Sequence, residues 1–427
     1  MIVACAVAGG GEWGMHAWAL ATAAVIAAAC SLVGTLLVVR RMSLFGDAVA
    51  HAVLPGIVVA VLAGGSPGGP AVFVGALVAA LATVWLTQTL RAVGGVAEDA
   101  GAGVVFTTMF ALGMALVTAA GRGTHLDAAC ILAGDLTFVP FDTIDIAGQA
   151  VPRAFVGGTL VLALLVTAAW ATWKLQVFAA FDAEAARAAG LPVAAVTAGL
   201  LAATALATVA SFQAVGAILV VALLVVPAAA AELLVRRLHH VAIVAALLAV
   251  GGAWLGYLAA WRWSVNEAGA IAVVLGLEYL GAAFLAPEDG IVARALAAVG
   301  LRWRVAAEDV LAALWRSEES GVAAPRPATV RGRLAALWLR FAGDVERDAA
   351  GWRLTARGRR AAEMVVRSHR LWEAWLGRHV ELPVDHLHPP AEWVEHHLGA
   401  AVRQRIEAEL GPAGSDPHGS EIPPEAL

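Results

Sequence analysis

Lysine is almost missing from this chain: Lys174 is the only one in 427 residues. The AAWATW before it bears no relation to a G-x-x-x-x-G-K-[ST] phosphate loop, so no ATP hydrolysis is expected of this polypeptide. Cysteine is scarce as well. Cys5, Cys30 and Cys130 lie far apart with no C-x-x-C spacing, which excludes a disulfide framework and a thiolate metal site. Only 14% of residues are charged, and the formal net charge of −5 steers no partner by itself. The stretch MIVACAVAGGGEWGMHAW lacks the basic n-region of a cleaved signal peptide, so the first apolar span is expected to serve as its own insertion signal. No internal repeat stands out.

Apolar residues make up 60% of the chain, against roughly 45–50% in soluble domains. This is the composition of a membrane protein. Apolar windows give about nine candidate spans, at about 17–39, 45–63, 70–90, 101–121, 154–174, 193–210, 213–235, 240–261 and 267–286. From about residue 288 onward Arg, Glu, Asp and His become frequent, and no apolar run reaches the roughly 18–20 residues that crossing needs. A membrane domain over 1–290 and a soluble domain over 291–427 are therefore expected. With the N-terminus outside, the inner ends of the spans carry Arg40, Arg41, Arg91, Lys174, Arg187, Arg236, Arg237 and Arg294, while the outer loops hold little more than Arg122, Arg153 and Arg262. Basic residues in short loops favour the cytoplasm, which places the soluble domain there.

Two connections stand apart. Residues 122–153 are too polar for a simple span and read as an outer loop with a re-entrant or interfacial element. Residues 176–192, QVFAAFDAEAARAAGLP, read as an Ala-rich charged helix on the cytoplasmic side with a Gly190-Leu191-Pro192 stop. In the soluble part Pro325 and Pro327 separate two helical stretches, and the last dozen residues read as a loosely held terminus.

The chemistry begins at GDAVAHAVLPG, residues 46–56, inside an apolar run. Asp47 and His51 are four apart, so on a helix they share a face and can hold one partner. A carboxylate and an imidazole suit Mn(II), Zn(II) or Fe(II), and Pro55 can loosen the helix and free backbone carbonyls nearby. Intramembrane charge is costly enough to mark function, although Asp47 could also cap a helix and His51 bond a neighbour. In the soluble part His369 and Glu373, Glu392 and His396, and Glu392 and Glu395 each fall at helical spacing. Two such helices meeting would gather carboxylates and imidazoles without thiolate, a donor set that favours Mn(II). The plainer alternative is that these side chains decorate solvated helices.

RRMSLFGDAVAHAVLPGIVVA at 40–60 resembles the signature of the permease subunits of manganese, zinc and iron ATP-binding-cassette importers. Further matches are EDAGAGVVFTTMFALGMALV at 98–117, HLDAACILAGDLTFV at 125–139, FDAEAARAAGLP at 181–192 and QAVGAILVVALLVVPAAAAELL at 213–234. The resemblance covers roughly residues 15–290. It implies Asp47 and His51 in the metal path and a coupling helix near 182–192, with Asp182, Glu184, Arg187 and Gly190 facing the ATPase. It also implies a separate ATPase subunit, an extracytoplasmic metal-binding protein to which His125 and Asp127 could turn, and a homodimer or second permease.

Residues 354–376, the AEWVEHHL at 391–398 and the SDPHGSEIP at 415–423 are similar to the metal-binding and dimerisation region of the diphtheria-toxin-repressor and manganese-transport-regulator family. This implies His369, Glu392, Glu395 and His396 as ligands of a divalent metal, Glu373 and His388 in an accessory site, and Asp309 as a further ligand. Ala312 stands where manganese-type members use Glu, and Glu392 stands where iron-type members carry Cys. The helix-turn-helix region between 305 and 354 is shortened, and Asp344, Glu346 and Asp348 follow Arg326, Arg331, Arg333 and Arg340 closely, which argues against DNA as a partner.

The expected fold is an all-α polytopic protein of about nine spans, set in membrane lipid of the bacterial inner membrane, with a mainly α, degenerate winged-helix-plus-dimerisation-like cytoplasmic domain. The expected function is the permease subunit of a divalent-metal importer, Mn favoured and Zn or Fe next, with a metal-sensing tail. A membrane-anchored metal-dependent regulator is the alternative; it leaves Asp47, His51, Gln213 and Glu232 unexplained within the spans. An ion-driven carrier is disfavoured by the coupling-helix resemblance.

Overall fold

The computed structural model describes residues 12–65, 69–120, 136–146, 148–322, 327–348, 351–380, 394, 396, 398–411 and 414–424. It divides into two compact units, Met1–Ala293 and Arg294–Leu427.

The first unit is a bundle of α1 (Glu12–Val39), α2 (Leu44–Ala52), α3 (Leu54–Leu62), α4 (Pro70–Gly94), α5 (Glu98–Ala120), α6 (Arg153–Phe181), α7 (Ala183–Ala188), α8 (Val193–Leu234), α9 (Leu238–Trp263) and α10 (Glu267–Leu285). Among the described residues nine helical stretches are long and apolar enough to cross a membrane, within a few residues of the expected boundaries. A 3₁₀ turn at Leu136–Phe141 and a hairpin of β1 (Thr143–Ile146) with β2 (Gln149–Pro152) stand in the connection before α6. Residues 121–135 of that connection, with His125 and Asp127, lie outside the described residues.

Small residues let the helices close on one another, as is usual in lipid, where packing rather than water drives association. Ala19, Ala23, Ala27 and Cys30 of α1 are buried in the core. A Cβ at Gly34 would lie 1.8 Å from the Leu224 carbonyl oxygen of α8, and one at Gly56 of α3 would lie 2.0 Å from that of Gly75 on α4. At one end of α1, Arg40 donates to the Gln176 side chain (2.7 Å) and to Thr197 (3.2 Å), tying α1 to α6 and α8.

The second span runs over Leu44–Leu62 as expected and is divided at Val53, which keeps helical angles (φ −73°, ψ −20°), because Pro55 has no N–H to donate to the carbonyl of His51. One expectation is corrected here. The charged stretch expected from 176 begins later: α6 runs on to Phe181, and only Ala183–Ala188 forms the short helix. The sixth and seventh spans are two helices as expected, Val193–Phe212 and Ala214–Leu234, which follow one another along α8 across a kink at Gly216 (φ 72°, ψ 167°), a conformation open essentially to glycine alone.

The second unit holds most of α11 (Ile291–Ser320), then α12 (Val330–Ala342), a two-stranded wing of β3 (Val345–Arg347) and β4 (Trp352–Leu354), α13 (Ala356–His379) and α14 (Ala400–Leu410). Ala307, Val310, Leu311 and Leu314 of α11 pack on Ala335, Ala336 and Leu339 of α12 and on the wing. A second cluster joins Leu371 to Leu398, Ile406, Leu410 and Ile422. The terminus is not loosely held, at least over 414–424. Asp416 accepts from the backbone N–H groups of His418 and Ser420, Arg367 and Arg370 donate to the carbonyls of Pro423 and Glu421, and Ile422 is buried.

Candidate functional site

α2 is nine residues long, with Asp47 in its first turn and His51 in its last. Helical spacing brings His51 Nε2 to 3.4 Å from Asp47 Oδ1. Two atoms each about 2.1 Å from one ion lie about 3.0 Å apart at a right angle and about 3.4 Å apart at the tetrahedral angle. The observed separation matches the tetrahedral value and equally a direct carboxylate–imidazole contact. The Phe106 and Phe110 rings of α5 stand 5.7 and 5.8 Å from the imidazole and wall one side. His51 Nδ1 is buried with no hydrogen-bond partner. Pro55 leaves the His51 carbonyl without its usual helical donor, adding an oxygen beside the imidazole.

Sequence reasoning passed over the buried Thr87 and Thr208 hydroxyls and the Gln88 amide nitrogen, which also lack hydrogen-bond partners. Their signal is a polar side chain in an apolar helix, weak because Ser and Thr commonly bond their own helix, as Thr83 does to the Ala79 carbonyl. Glu232 is exposed, and the Gln213 side chain lies outside the described residues.

At the other expected contact, Asp182 caps α7 by accepting from Ala185 N–H at 2.8 Å. Glu184 and Arg187 pair on its exposed face, and Gly190 closes it at φ 80°. Ala179, Ala186 and Val193 form a small core beneath, so α7 is pinned on one side and free on the other.

In the second unit His369 Nε2 stands 3.1 Å from Glu373 Oε1, and both side chains are almost wholly buried. His418 Nε2 lies 3.7 Å from the same oxygen. His396 is held differently: Glu308 Oε2 meets Nδ1 at 2.6 Å and Asp309 Oδ1 meets Nε2 at 3.2 Å. The structure therefore joins one pair read from helical spacing, His369 with Glu373, and sets His396 beside Asp309, two residues that the resemblance implied separately. It adds Glu308 and His418, which the sequence reading missed because no helical spacing marks either one: Glu308 adjoins Asp309 but meets His396 88 residues away, and His418 stands near the terminus. His388, Glu392 and Glu395 lie outside the described residues. Among the described residues no group of three or more His, Cys, Asp or Glu is arranged to hold a metal ion. The donors that are present are oxygen and nitrogen, with His369, Glu373 and His396 buried, a set that suits a divalent metal ion.

Residues 13–286 match the ABC 3 transport family. The chain belongs to that family. Residues 355–424 match the iron dependent repressor, metal binding and dimerisation domain. Among relatives, the manganese transport system membrane protein MntD of Bacillus subtilis (strain 168) is 39% identical over 288 residues, covering 67% of this chain and 97% of its own. The zinc transport system membrane protein TroD of Treponema pallidum (strain Nichols) is 34% identical over 275 residues, covering 64% and 75%. The solved structure of PsaBC from Streptococcus pneumoniae in complex with Fab is 26% identical and superposes with a TM-score of 0.56 over 68% of this chain and 98% of that one. Both resemblances read from the sequence hold, and the ABC 3 chain is a multi-pass membrane permease carrying a repressor-like second domain.

Proposed function

We propose that this permease passes divalent transition-metal ions inward, with manganese the favoured cargo, and that Asp47 and His51 contact the ion in transit. The observation that carries the reading is the Asp47–His51 pair, 3.4 Å apart beside a proline-divided helix in an ABC 3 family member. An ion entering the spans must exchange water for protein donors. A carboxylate oxygen, an imidazole nitrogen and the His51 carbonyl supply three, and the phenylalanine rings keep competing water away on one side.

A separate ATPase subunit drives the cycle by pushing on α7, through Asp182, Glu184, Arg187 and Gly190. An extracytoplasmic metal-binding protein delivers the ion, and a second copy or a related permease completes the path. The cytoplasmic tail takes up metal through His369, Glu373, His388, Glu392, Glu395, His396 and Asp309 and slows transport when loaded. The relatives' names, which couple this family to manganese and zinc, support the cargo class.

The test is metal accumulation by cells carrying the whole transporter, wild type against Asp47→Ala and His51→Ala, for Mn, Zn and Fe. Loss of uptake of one metal with normal membrane expression is expected; unchanged uptake of all three would sink the assignment. For the tail, a chain ending at residue 299 should import metal without the inhibition that high internal metal imposes on the full chain.

A further inference from the structure

α12 is apolar on both faces. Gly332, Ala335, Ala336 and Leu339 face the core of the second unit, while Val330, Leu334, Leu337, Trp338 and Phe341 form a second stripe at helical spacing that is open to solvent. Phe341 is 94% exposed. The start of α11 repeats the pattern, with Ile291, Val292, Leu296 and Val299 all exposed on a helix that begins six residues after the last span ends at Leu285. Gly300 and Trp303 of α11 and Trp338 of α12 line one cleft of about 520 Å³ within the second unit.

Within the two stripe-bearing segments the charges are all basic, with acids only at their margins: Glu288 and Asp289 before, Glu308 and Asp309 farther along α11, and Asp344, Glu346 and Asp348 after α12. Between Asp289 and Glu308 the chain carries Arg294, Arg302 and Arg304 and no acid, and α12 carries Arg331, Arg333 and Arg340 and no acid, in a chain whose net charge is −5. Arg294, Arg302, Arg331, Arg333 and Arg340 are exposed, and none makes an ion pair among the described residues. Bulky apolar residues and a tryptophan flanked by arginines, on a segment tethered next to a membrane span, are the chemistry of a helix lying in the headgroup layer. Nucleic acid would take the arginines but leave the exposed Leu334, Leu337 and Phe341 in water.

We infer that α12, with the start of α11, docks on an anionic leaflet of the same bilayer that the first unit crosses. The apolar stripes enter the acyl boundary and the arginines meet lipid phosphates. α12 is thus a membrane-surface helix.

The experiment uses the full chain in lipid nanodiscs, with Cys5, Cys30 and Cys130 replaced by alanine and a spin label at Phe341→Cys or Leu296→Cys. Both positions are exposed, so a label is tolerated, and the two sites report independently. A label at Glu346→Cys, exposed on the wing, is the aqueous reference. In discs containing phosphatidylglycerol, the ratio of oxygen to nickel-chelate collision rates is expected to exceed the reference by about threefold or more. It should fall toward the reference in purely zwitterionic discs and in the Arg331→Ala/Arg333→Ala/Arg340→Ala chain. Labels that match the reference in both lipids overturn the inference. Shielding that follows the number of chains per disc rather than lipid charge assigns the surface to a second copy, and shielding that appears only with duplex DNA assigns it to nucleic acid; either result also overturns it.

Discussion

The crossing of α3 with α4 is backbone on backbone, and replacing Gly56 with alanine tests it. The added methyl would sit 2.0 Å from the Gly75 carbonyl oxygen and 2.8 Å from Ala79 Cβ. An ordinary carbon–oxygen contact is about 3.3 Å, so the helices must part by about 1.3 Å there. The obstacle is backbone rather than the end of a flexible side chain, which places the cost in the upper part of the overpacking range, about 2–3 kcal/mol. α3 follows α2 after a single residue, so the shift also disturbs the Asp47–His51 pair. Gly103, in the interior of α5, is the control, because a methyl added there would meet nothing within 4 Å. Its replacement by alanine should be neutral or stabilising by about 0.5–1 kcal/mol through helix propensity. The assay is thermal unfolding of purified protein together with manganese uptake in cells. Gly56→Ala should melt several degrees low and transport poorly while Gly103→Ala does neither. If the two variants melt together and transport alike, the close crossing is refuted.

Gly216→Ala forces an L residue into φ 72°, ψ 167°, at about 1–3 kcal/mol, and should lower the yield of monodisperse protein; full yield would show that the break in α8 can relax. Asp182→Ala removes the α7 cap, worth about 1 kcal/mol, and should reduce ATPase stimulation in the reconstituted complex, whereas Asp182→Asn, also a capping residue, should retain it. His369→Ala takes a partner from the buried Glu373 carboxylate and should destabilise the second unit by about 3–5 kcal/mol, and adding Glu373→Ala should cost little more. Additive losses in that double-mutant cycle would mean the two side chains act separately.

The spans were legible because hydrocarbon thickness leaves a simple signature, about twenty apolar residues in a row. What escaped was internal to that signature. Pro55 announced a weak point, and the structure keeps Val53 helical there while dividing the span into α2 and α3. Gly216 looked like any other small residue of an apolar helix, because its φ is set by neighbours far away in sequence. The Asp47–His51 pair was readable from spacing alone, since both residues belong to one short helix. Glu308 and His418 were not, since each meets its partner only through tertiary folding, across 88 residues to His396 and 45 residues back to Glu373 respectively. The terminus was misread for the same reason: its polar SDPHGS composition suggests solvent, yet Arg367 and Arg370, some fifty residues earlier, supply the donors that fasten it.

Arg40 gives the membrane unit a short mechanical linkage. Its guanidinium grips Gln176 on α6, five residues before that helix ends against α7, and four residues after Arg40 the chain enters α2 with Asp47 and His51. On the proposed function, a displacement of α7 would have a path through one helix end, one forked hydrogen-bonded side chain and one short connector to the Asp47–His51 pair. Lysine at position 40 would keep the charge but lose the planar fork that reaches α6 and α8 at once, and on that reading should loosen the coupling.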